Sequence, residues 1–140
     1  MREILYKAKR IDNGEWVEGY LVKTRYNTYH DGYRIIDKDG INYDELDYYE
    51  PIFISYVIDE STICQYTGRV DKNGHKIWEN DIAYMRCNGL SGYGRVVYEN
   101  GCFWIDDKKR NRKYPFSNHD VKYRVDGNIF DNAELLERKE

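Results

Sequence analysis

The chain has 140 residues, a length at which a single hydrophobic core is the default and about 68% of the unfolded surface becomes buried. Its residues are 41% hydrophobic and 34% charged, which excludes both a disordered chain and a membrane protein. The 22 Lys and Arg against 25 Asp and Glu give a net charge of -3, so the chain lacks the overall basic field of a dedicated nucleic-acid binder.

Short β-rich runs separated by Asn-Gly or Asp-Gly dipeptides are the most frequent local pattern along the chain. Such dipeptides adopt positive φ readily and are typical of tight hairpin turns. The dipeptides are Asn13-Gly14, Asp39-Gly40, Asn73-Gly74, Asn100-Gly101 and Asp126-Gly127. Between them, apolar residues tend to recur at every second position, which is the period of a half-buried strand. The sequence therefore predicts an antiparallel β protein.

Three segments refine this prediction. Residues 42–50 are expected to be irregular, and residues 132–138 favour a short helical turn capped by Asn132. Residues 77–105 contain a tight turn, a strand, a flexible loop with Gly89, Gly92 and Gly94, and a hairpin, which is the order of elements in small SH3-like barrels. We therefore expect an all-β fold, a partly open antiparallel β-barrel or sandwich with an SH3-like barrel element and a short C-terminal helical turn. No linker interrupts the chain, so residues 1–140 are expected to form a single domain.

The cysteines and the N-terminal segment predict a cytoplasmic location. Cys64, Cys87 and Cys102 are odd in number and widely spaced, which argues against a disulfide framework and for a reducing compartment. The first ten residues alternate charged and apolar side chains, so they lack the apolar core of a signal peptide. No stretch approaches the roughly 18 apolar residues that a membrane-spanning helix needs, so no membrane partner is expected.

One segment carries a specific motif. From Cys64 to Ile82 the chain reads C-Q-Y-T-G-R-V-D-K-N-G-H-K-I-W-E-N-D-I. This run closely resembles the central signature of the YopX family of phage and prophage proteins, roughly Q-Y-T-G-x-x-D-K-N-G-x-x-I-Y/F-E-G-D-I. Residues 2–19 and 127–136 are similar to the family's opening and closing segments, so the resemblance covers nearly the whole chain. It implies an all-β phage protein in a bacterial host cell, which we expect to form a homo-oligomer, and it implies no known activity.

The matching residues, which we call the signature residues, are expected to be mainly structural, because turn-forming and amide-accepting side chains dominate them. They are Gln65, Tyr66, Thr67, Gly68, Asp71, Asn73, Gly74, Trp78, Glu79, Asp81, Gly127 and Asn128. Asn80 departs from the usual Gly of the family, but Asn tolerates the same left-handed backbone. A binding surface and a hydrolase that uses Glu79 and Asp81 remain alternative interpretations.

The sequence predicts no catalytic residue, no metal and no cofactor. The chain has no C-x-x-C, H-x-x-x-H or H-E-x-x-H spacing that would hold zinc. Its glycine-rich segment lacks the Lys-Ser/Thr ending of a P-loop and does not precede a helix as a dinucleotide fingerprint would. We therefore expect a protein that is not an enzyme.

A basic loop is the one local electrostatic feature. Its cations are followed by an aromatic residue, in the order Lys108, Lys109, Arg110, Arg112, Lys113 and Tyr114. Cations can bind phosphates while an aromatic ring stacks on a base, which makes this loop a candidate nucleic-acid site. Asp106 and Asp107 offset the charge, so a solvated loop and an acidic protein partner are the alternatives.

The chain contains 15 Tyr, more than a small barrel can bury with every hydroxyl satisfied. Many lie in the first half, at Tyr26, Tyr29, Tyr33, Tyr43, Tyr48 and Tyr49. Exposed Tyr is enriched at protein interfaces, whereas cross-strand pairing within a sheet is the alternative use. Our leading hypothesis is a non-enzymatic, self-associating binding or accessory factor with a possible host or phage protein partner, and a nucleic-acid-binding module is the alternative.

Overall fold

The computed structural model describes residues 3–24, 32–43, 51–87, 89–116 and 122–137. Within these ranges the chain forms antiparallel strands and two short 3-10 turns, Glu60–Thr62 and Ala133–Glu137. The strands are β1 (Tyr6–Lys9), β2 (Trp16–Thr24), β3 (Gly32–Tyr43), β4 (Pro51–Val57), β5 (Cys64–Val70), β6 (Lys76–Trp78), β7 (Asp81–Cys87), β8 (Leu90–Glu99), β9 (Cys102–Asp107), β10 (Arg112–Pro115) and β11 (Lys122–Asn128). The predicted all-β antiparallel fold and the C-terminal helical turn are confirmed.

The chain forms two compact units, Met1–Gln65 and Tyr66–Glu140, with the boundary inside β5. A single domain over residues 1–140 stays a prediction, because compact units occur both within a domain and as separate domains. In the described ranges, no helix is long and apolar enough to cross a membrane.

The first unit contains a curled sheet with strand order β4-β3-β2-β1 and then the start of β5. An isolated bridge between Arg10 and Ile58 brings the end of β4 back to the end of β1. It is flanked by hydrogen bonds from Ile11 N to Val57 O, at 3.1 Å, and from Asp59 N to Lys9 O, at 2.9 Å. Ala8, Ile35 and Ile58 form the buried interior of this curl. The bridge closes the sheet at one end only, which matches the expected partly open architecture.

Gly19 permits the close packing of β2 against β3. It lies opposite Tyr6 of β1 on one side and opposite Asp37 of β3 on the other. A Cβ atom at this position would overlap the carbonyl oxygen of Ile36. Only glycine therefore fits at this point of the sheet.

The second unit contains a five-stranded sheet with order β10-β9-β8-β7-β11, and the later part of β5 pairs with β6. One face of the sheet is buried in a core that includes Ile77, Ala83, Met85, Val96, Phe103, Ile105 and Phe116. Among the described residues, the edge strands β10 and β11 do not pair with each other, so this sheet is open.

Three of the predicted hairpin turns are confirmed. Gly14, Gly74 and Gly101 have φ values of 73°, 84° and 81°, and each lies between two antiparallel strands. Asn100 also has a positive φ, of 52°, as a tight two-residue hairpin turn requires.

Two of the predicted hairpin turns are wrong. Asp39-Gly40 lies inside β3 and Asp126-Gly127 lies inside β11, and in each case the strand pairing shifts register nearby. Asn, Asp and Gly suit a bulge as well as a turn, since both need unusual backbone geometry or small side chains.

Three further expectations concern local segments. The prediction of a flexible glycine-rich loop is wrong, because Gly92 and Gly94 belong to β8. A Cβ atom at Gly94 would overlap the side chain of Ile105. Of the irregular segment, residues 44–50 lie outside the described residues, and residues 42–43 belong to β3. The side chain of Asn132, the predicted cap of the C-terminal turn, accepts a hydrogen bond from the N–H of Asn128 at 3.2 Å, and Asn128 is the last residue of β11.

Asp71 joins the turn between β5 and β6 to β11. Its side chain is fully buried, and Oδ1 accepts hydrogen bonds from Asn73 N and His75 N, both at 2.9 Å. Oδ2 accepts a third bond from Val125 N at 2.9 Å. Burial by itself raises the pKa of this carboxyl, but the amide bonds and the nearby His75 outweigh it, so the pKa lies below its ordinary value of 3.8.

Replacing Gly19 with Ala is expected to lower the free energy of unfolding by about 1–3 kcal/mol, because the added methyl overpacks a sheet that cannot widen locally. Urea denaturation measures the change. E18A is the matched control, since Glu18 is the preceding residue and its ion pair with Lys38 is partly exposed. Equal losses for the two variants would contradict the close packing at Gly19.

Replacing Asp71 with Asn is expected to lower the free energy of unfolding at neutral pH by about 1.5–3 kcal/mol, because a charged acceptor of buried amides is lost. The native carboxylate stabilises the fold fully above pH 3.8, and this stabilisation is lost as pH falls through the lower folded pKa. The difference between wild type and D71N should therefore shrink below that pH in urea titrations. A difference that is constant with pH would refute the assignment, and E134A, which removes an exposed carboxylate, serves as the control.

Candidate nucleic-acid interface

The predicted basic loop is the hairpin that connects β9 to β10. Two of its cations bind acidic neighbours: Arg110 Nη1 lies 3.2 Å from Oδ2 of the buried Asp107, and Lys113 Nζ contacts Glu99. The hydrogen bond to Glu99 raises the pKa of the Lys113 ammonium group. Tyr114 is half-buried and packs against the core of the second unit. The loop therefore does not present all its cations and its ring to one ligand.

Two of the predicted cations nevertheless meet other functional groups at a concavity of about 210 Å³. Its lining residues come from β8, β9, the β9–β10 turn and the C-terminal 3-10 turn, and they are Tyr93, Arg95, Asp106, Lys108, Lys109 and Leu136. Lys108 and Lys109 were expected from the sequence, whereas Tyr93, Arg95 and Leu136 were not. The structure thus combines three cations, one carboxylate, one aromatic ring and one aliphatic side chain.

Strand alternation in β8 places the two central residues of this site. Gly92, Gly94 and Val96 are buried, whereas Tyr93 and Arg95 are half-buried between them. Successive side chains of a strand point to opposite faces, so Tyr93 and Arg95 share the face opposite the core. The sequence carries a signal for this arrangement, because small residues alternate with Tyr93 and Arg95, although glycines at this spacing also favour a loop.

Asn80 holds the guanidinium group of Arg95. Nε and Nη2 of Arg95 donate to Asn80 Oδ1 at 3.2 and 2.8 Å. The backbone of Asn80 has a φ of 70° and is itself fixed, since its N–H donates to Val96 O at 2.8 Å and its carbonyl accepts from Ile129 N at 3.0 Å. Arg95 is therefore oriented by an acceptor on a rigid turn.

Tyr93 is fixed by a network on the same face. Its hydroxyl donates to Asp126 Oδ2 at 2.8 Å, and Asp126 also accepts hydrogen bonds from Arg124 at 2.8 and 2.9 Å. The Tyr93 ring packs edge-on against Tyr84 with a centroid distance of 5.3 Å, and the Arg124 guanidinium lies 4.9 Å from the centre of the Tyr84 ring. The hydrogen bond to Asp126 raises the pKa of the Arg124 guanidinium group.

The electrostatics of the concavity favour an anion. Arg95, Lys108 and Lys109 contribute three positive charges, and Asp106, directly opposite Arg95 on β9, contributes one negative charge. A phosphate group can accept hydrogen bonds from both guanidinium and ammonium groups. A half-buried ring beside those cations offers a stacking surface for a base.

The signature residues lie outside the concavity, and their contacts are mostly with the backbone. Thr67 Oγ1 donates to Ile77 O at 2.7 Å, and Asp81 Oδ2 accepts from Trp78 N at 2.8 Å. Tyr66 packs against Trp78 with a ring-centroid distance of 5.3 Å.

The remaining signature residues occupy turns, bulges and strand ends. Gly68 has a φ of 84° next to the register shift of β5, and Asn73-Gly74 forms the β5–β6 turn. Gln65 lies opposite Tyr6 in the first unit. At the end of β11, Gly127 packs closely on Asn132, and Asn128 Oδ1 accepts from two amides, Phe130 N and Asp131 N, each at 2.9 Å.

The hydrolase interpretation depends on the carboxylates of Glu79 and Asp81. Asp81 is buried and accepts the Trp78 amide, and Glu79 is half-buried in the turn before β7. Neither residue lines the concavity. Within the described ranges, no group of three or more His, Cys, Asp and Glu side chains is arranged to hold a metal ion.

The predicted tyrosine surface is only partly within the described residues. Tyr33 is half-buried and packs against the interior of the first unit. Tyr26, Tyr29, Tyr48 and Tyr49, and the side chain of Tyr43, lie outside the described residues. Tyr20 and Tyr98 are the exposed tyrosines among the described residues.

Comparisons with known proteins identify the family and support the fold. A search of curated protein sequences finds no match. The crystal structure of protein EF1440 from Enterococcus faecalis is similar, with a TM-score of 0.60 and 24% sequence identity, over 97% of this chain and 99% of that chain. At that identity the likeness concerns the fold alone. The sequence model of the family described as YopX protein matches residues 5–137, nearly the whole chain, and the chain therefore belongs to the YopX family.

Proposed function

We propose that this protein is a non-enzymatic phage or prophage protein that binds nucleic acid through the concavity of its second unit. The proposal depends on one observation: Arg95, Lys108 and Lys109 line the same concavity as the Tyr93 ring. Nucleic acid is the anion that needs both features, because its phosphates bind cations and its bases stack on aromatic rings. Family membership supports a phage origin, and with it the cytoplasm of a bacterial host as the place of action.

The charge distribution predicts moderate and strongly salt-dependent binding. The whole chain carries a net charge of -3, so long-range attraction to nucleic acid is weak and the local cations must supply the affinity. Each phosphate that a cation neutralises releases counterions, which makes the affinity fall as salt rises.

A non-enzymatic role agrees with the contacts of the signature residues. The buried carboxylates of Asp71 and Asp81 accept backbone amides, so their oxygens serve the fold. Glu79 and Asp81, the carboxylates of the hydrolase interpretation, do not line the concavity.

Neutralising the lysines of the concavity is expected to weaken nucleic-acid binding. In K108Q/K109Q the slope of log affinity against log salt should fall by about two, since each lysine contacts about one phosphate. Fluorescence anisotropy with labelled DNA and RNA oligonucleotides measures this slope.

The control for this experiment is K72Q, which removes one exposed lysine of the second unit outside the concavity. It should leave the slope nearly unchanged. A wild-type protein without salt-dependent binding, or a double variant with the wild-type slope, would overturn the proposed function.

Self-association is a second candidate, and exposed apolar side chains on the outer face of the first unit favour it. Tyr20 and Val57 are 47% and 48% exposed. Tyr20 lies opposite Ile36 in the strand pairing, and Val22 and Val57 both lie opposite Arg34, so these side chains share one face of the sheet. We call the face with Tyr20, Val22, Ile36 and Val57 the outer face.

A second copy of the chain is the occupant that the charges favour. Lys7, Lys9 and Arg34 share the outer face with Glu18, whose carboxylate pairs with Lys38 at 3.2 Å. The chain as a whole has a net charge of -3, so another copy can offer acidic surface to this cationic face.

Two substitutions on the outer face are therefore expected to reduce the oligomer. Light scattering at tens of micromolar should give a larger mass for the wild type than for Y20E/V57E, because buried carboxylates would oppose the contact. V70E is the control, since Val70 is an exposed apolar residue of the second unit. A wild type that is monomeric at this concentration would rule out self-association.

A further inference from the structure

We propose that the concavity binds single-stranded nucleic acid, with a phosphate at Arg95 and a base on the Tyr93 ring, and that Asn80 is the positioning residue for Arg95. The inference rests on the proposed nucleic-acid binding and specifies its ligand. It depends on three features of the second unit: the small recess, the fixed ring and the fixed guanidinium group.

The shape of the site favours a single strand. The cations and the Tyr93 ring line the same concavity of about 210 Å³, so a ligand must offer a phosphate and a flat apolar group within a short distance. A single strand can turn an unstacked base into such a recess, whereas a duplex keeps its bases paired and stacked and offers its backbone. Leu136 adds an apolar wall to the recess.

The ring is ordered before any ligand arrives. Its hydroxyl donates to Asp126, and its edge-on contact with Tyr84 limits rotation. A side chain that is already ordered loses less conformational entropy on binding. Tyr93 is therefore suited to stack a base without a prior rearrangement.

The guanidinium group is ordered in the same way by Asn80. The two hydrogen bonds use Nε and Nη2 of Arg95, and Nη1 takes no part in them. Asn80 does not line the concavity, so we expect its side chain to act on a ligand through Arg95.

Replacing Asn80 with Gly separates positioning from folding. Gly accepts the φ of 70° at least as well as Asn, so the turn should persist and thermal unfolding should change little. Loss of the acceptor frees Arg95, and the affinity for a labelled oligothymidylate should fall roughly two- to tenfold, the cost of immobilising one flexible side chain on binding. Because no charge is removed, the salt dependence should stay that of the wild type.

A double-mutant cycle tests whether Asn80 acts through Arg95. In the R95Q background, N80G should cause no further loss of affinity, because the group that it positions is gone. The same loss in both backgrounds, or wild-type affinity in N80G, would overturn the positioning role. If N80G alone unfolds, R95Q still tests the phosphate site, since it should weaken binding and lower the salt slope by about one, and unchanged binding would overturn the inference.

The choice of a single strand is tested with Tyr93 variants and two probes. Y93L should lose at least about fivefold in affinity for oligothymidylate and much less for a duplex of the same length, while Y93F, which keeps the ring, should lose less than Y93L. Equal losses on both probes, or equal wild-type affinity for both, would overturn this inference. If the single-strand inference failed but K108Q/K109Q still reduced the salt slope, the proposed nucleic-acid binding would remain supported.

Discussion

The second unit depends on one buried carboxylate. Asp71 accepts the amides of Asn73 and His75 from its own turn and the amide of Val125 from β11. Three amides around one carboxylate satisfy buried donors that would otherwise cost free energy, and they keep the group ionised inside the protein. The same contact fixes Val125, and the next residue, Asp126, holds the hydroxyl of Tyr93. A structural aspartate in the signature thus supports the ring of the candidate site.

The second turn of the signature supports the site in a comparable way. Asp81 accepts the amide of Trp78 and fixes the turn that precedes β7, and Asn80 in this turn accepts two hydrogen bonds from Arg95. Residues that do not line the concavity therefore determine the orientation of two residues that do. A motif made mainly of turn and amide-accepting residues therefore supports the candidate site without lining it.

Much of the fold was predictable because its signals are local. Asn73-Gly74 and Asn100-Gly101 form the expected turns, since Gly74, Asn100 and Gly101 adopt the positive φ that such turns need. Asp39-Gly40 and Asp126-Gly127 have the same composition but lie in strands at shifts of register. A dipeptide cannot distinguish a turn from a bulge, because the difference lies in which strand pairs beside it.

By itself, the sequence determined the all-β class, the C-terminal helical turn, the YopX signature and the presence of cations at Lys108 and Lys109. Those features are properties of residue type and short-range order. Only the tertiary structure decided that Arg110 and Lys113 bind acidic neighbours, while Lys108 and Lys109 meet Arg95 and Tyr93. The reason is that strand register and side-chain alternation in β8 and β9 bring together residues that are distant in the chain, and no local pattern specifies that register.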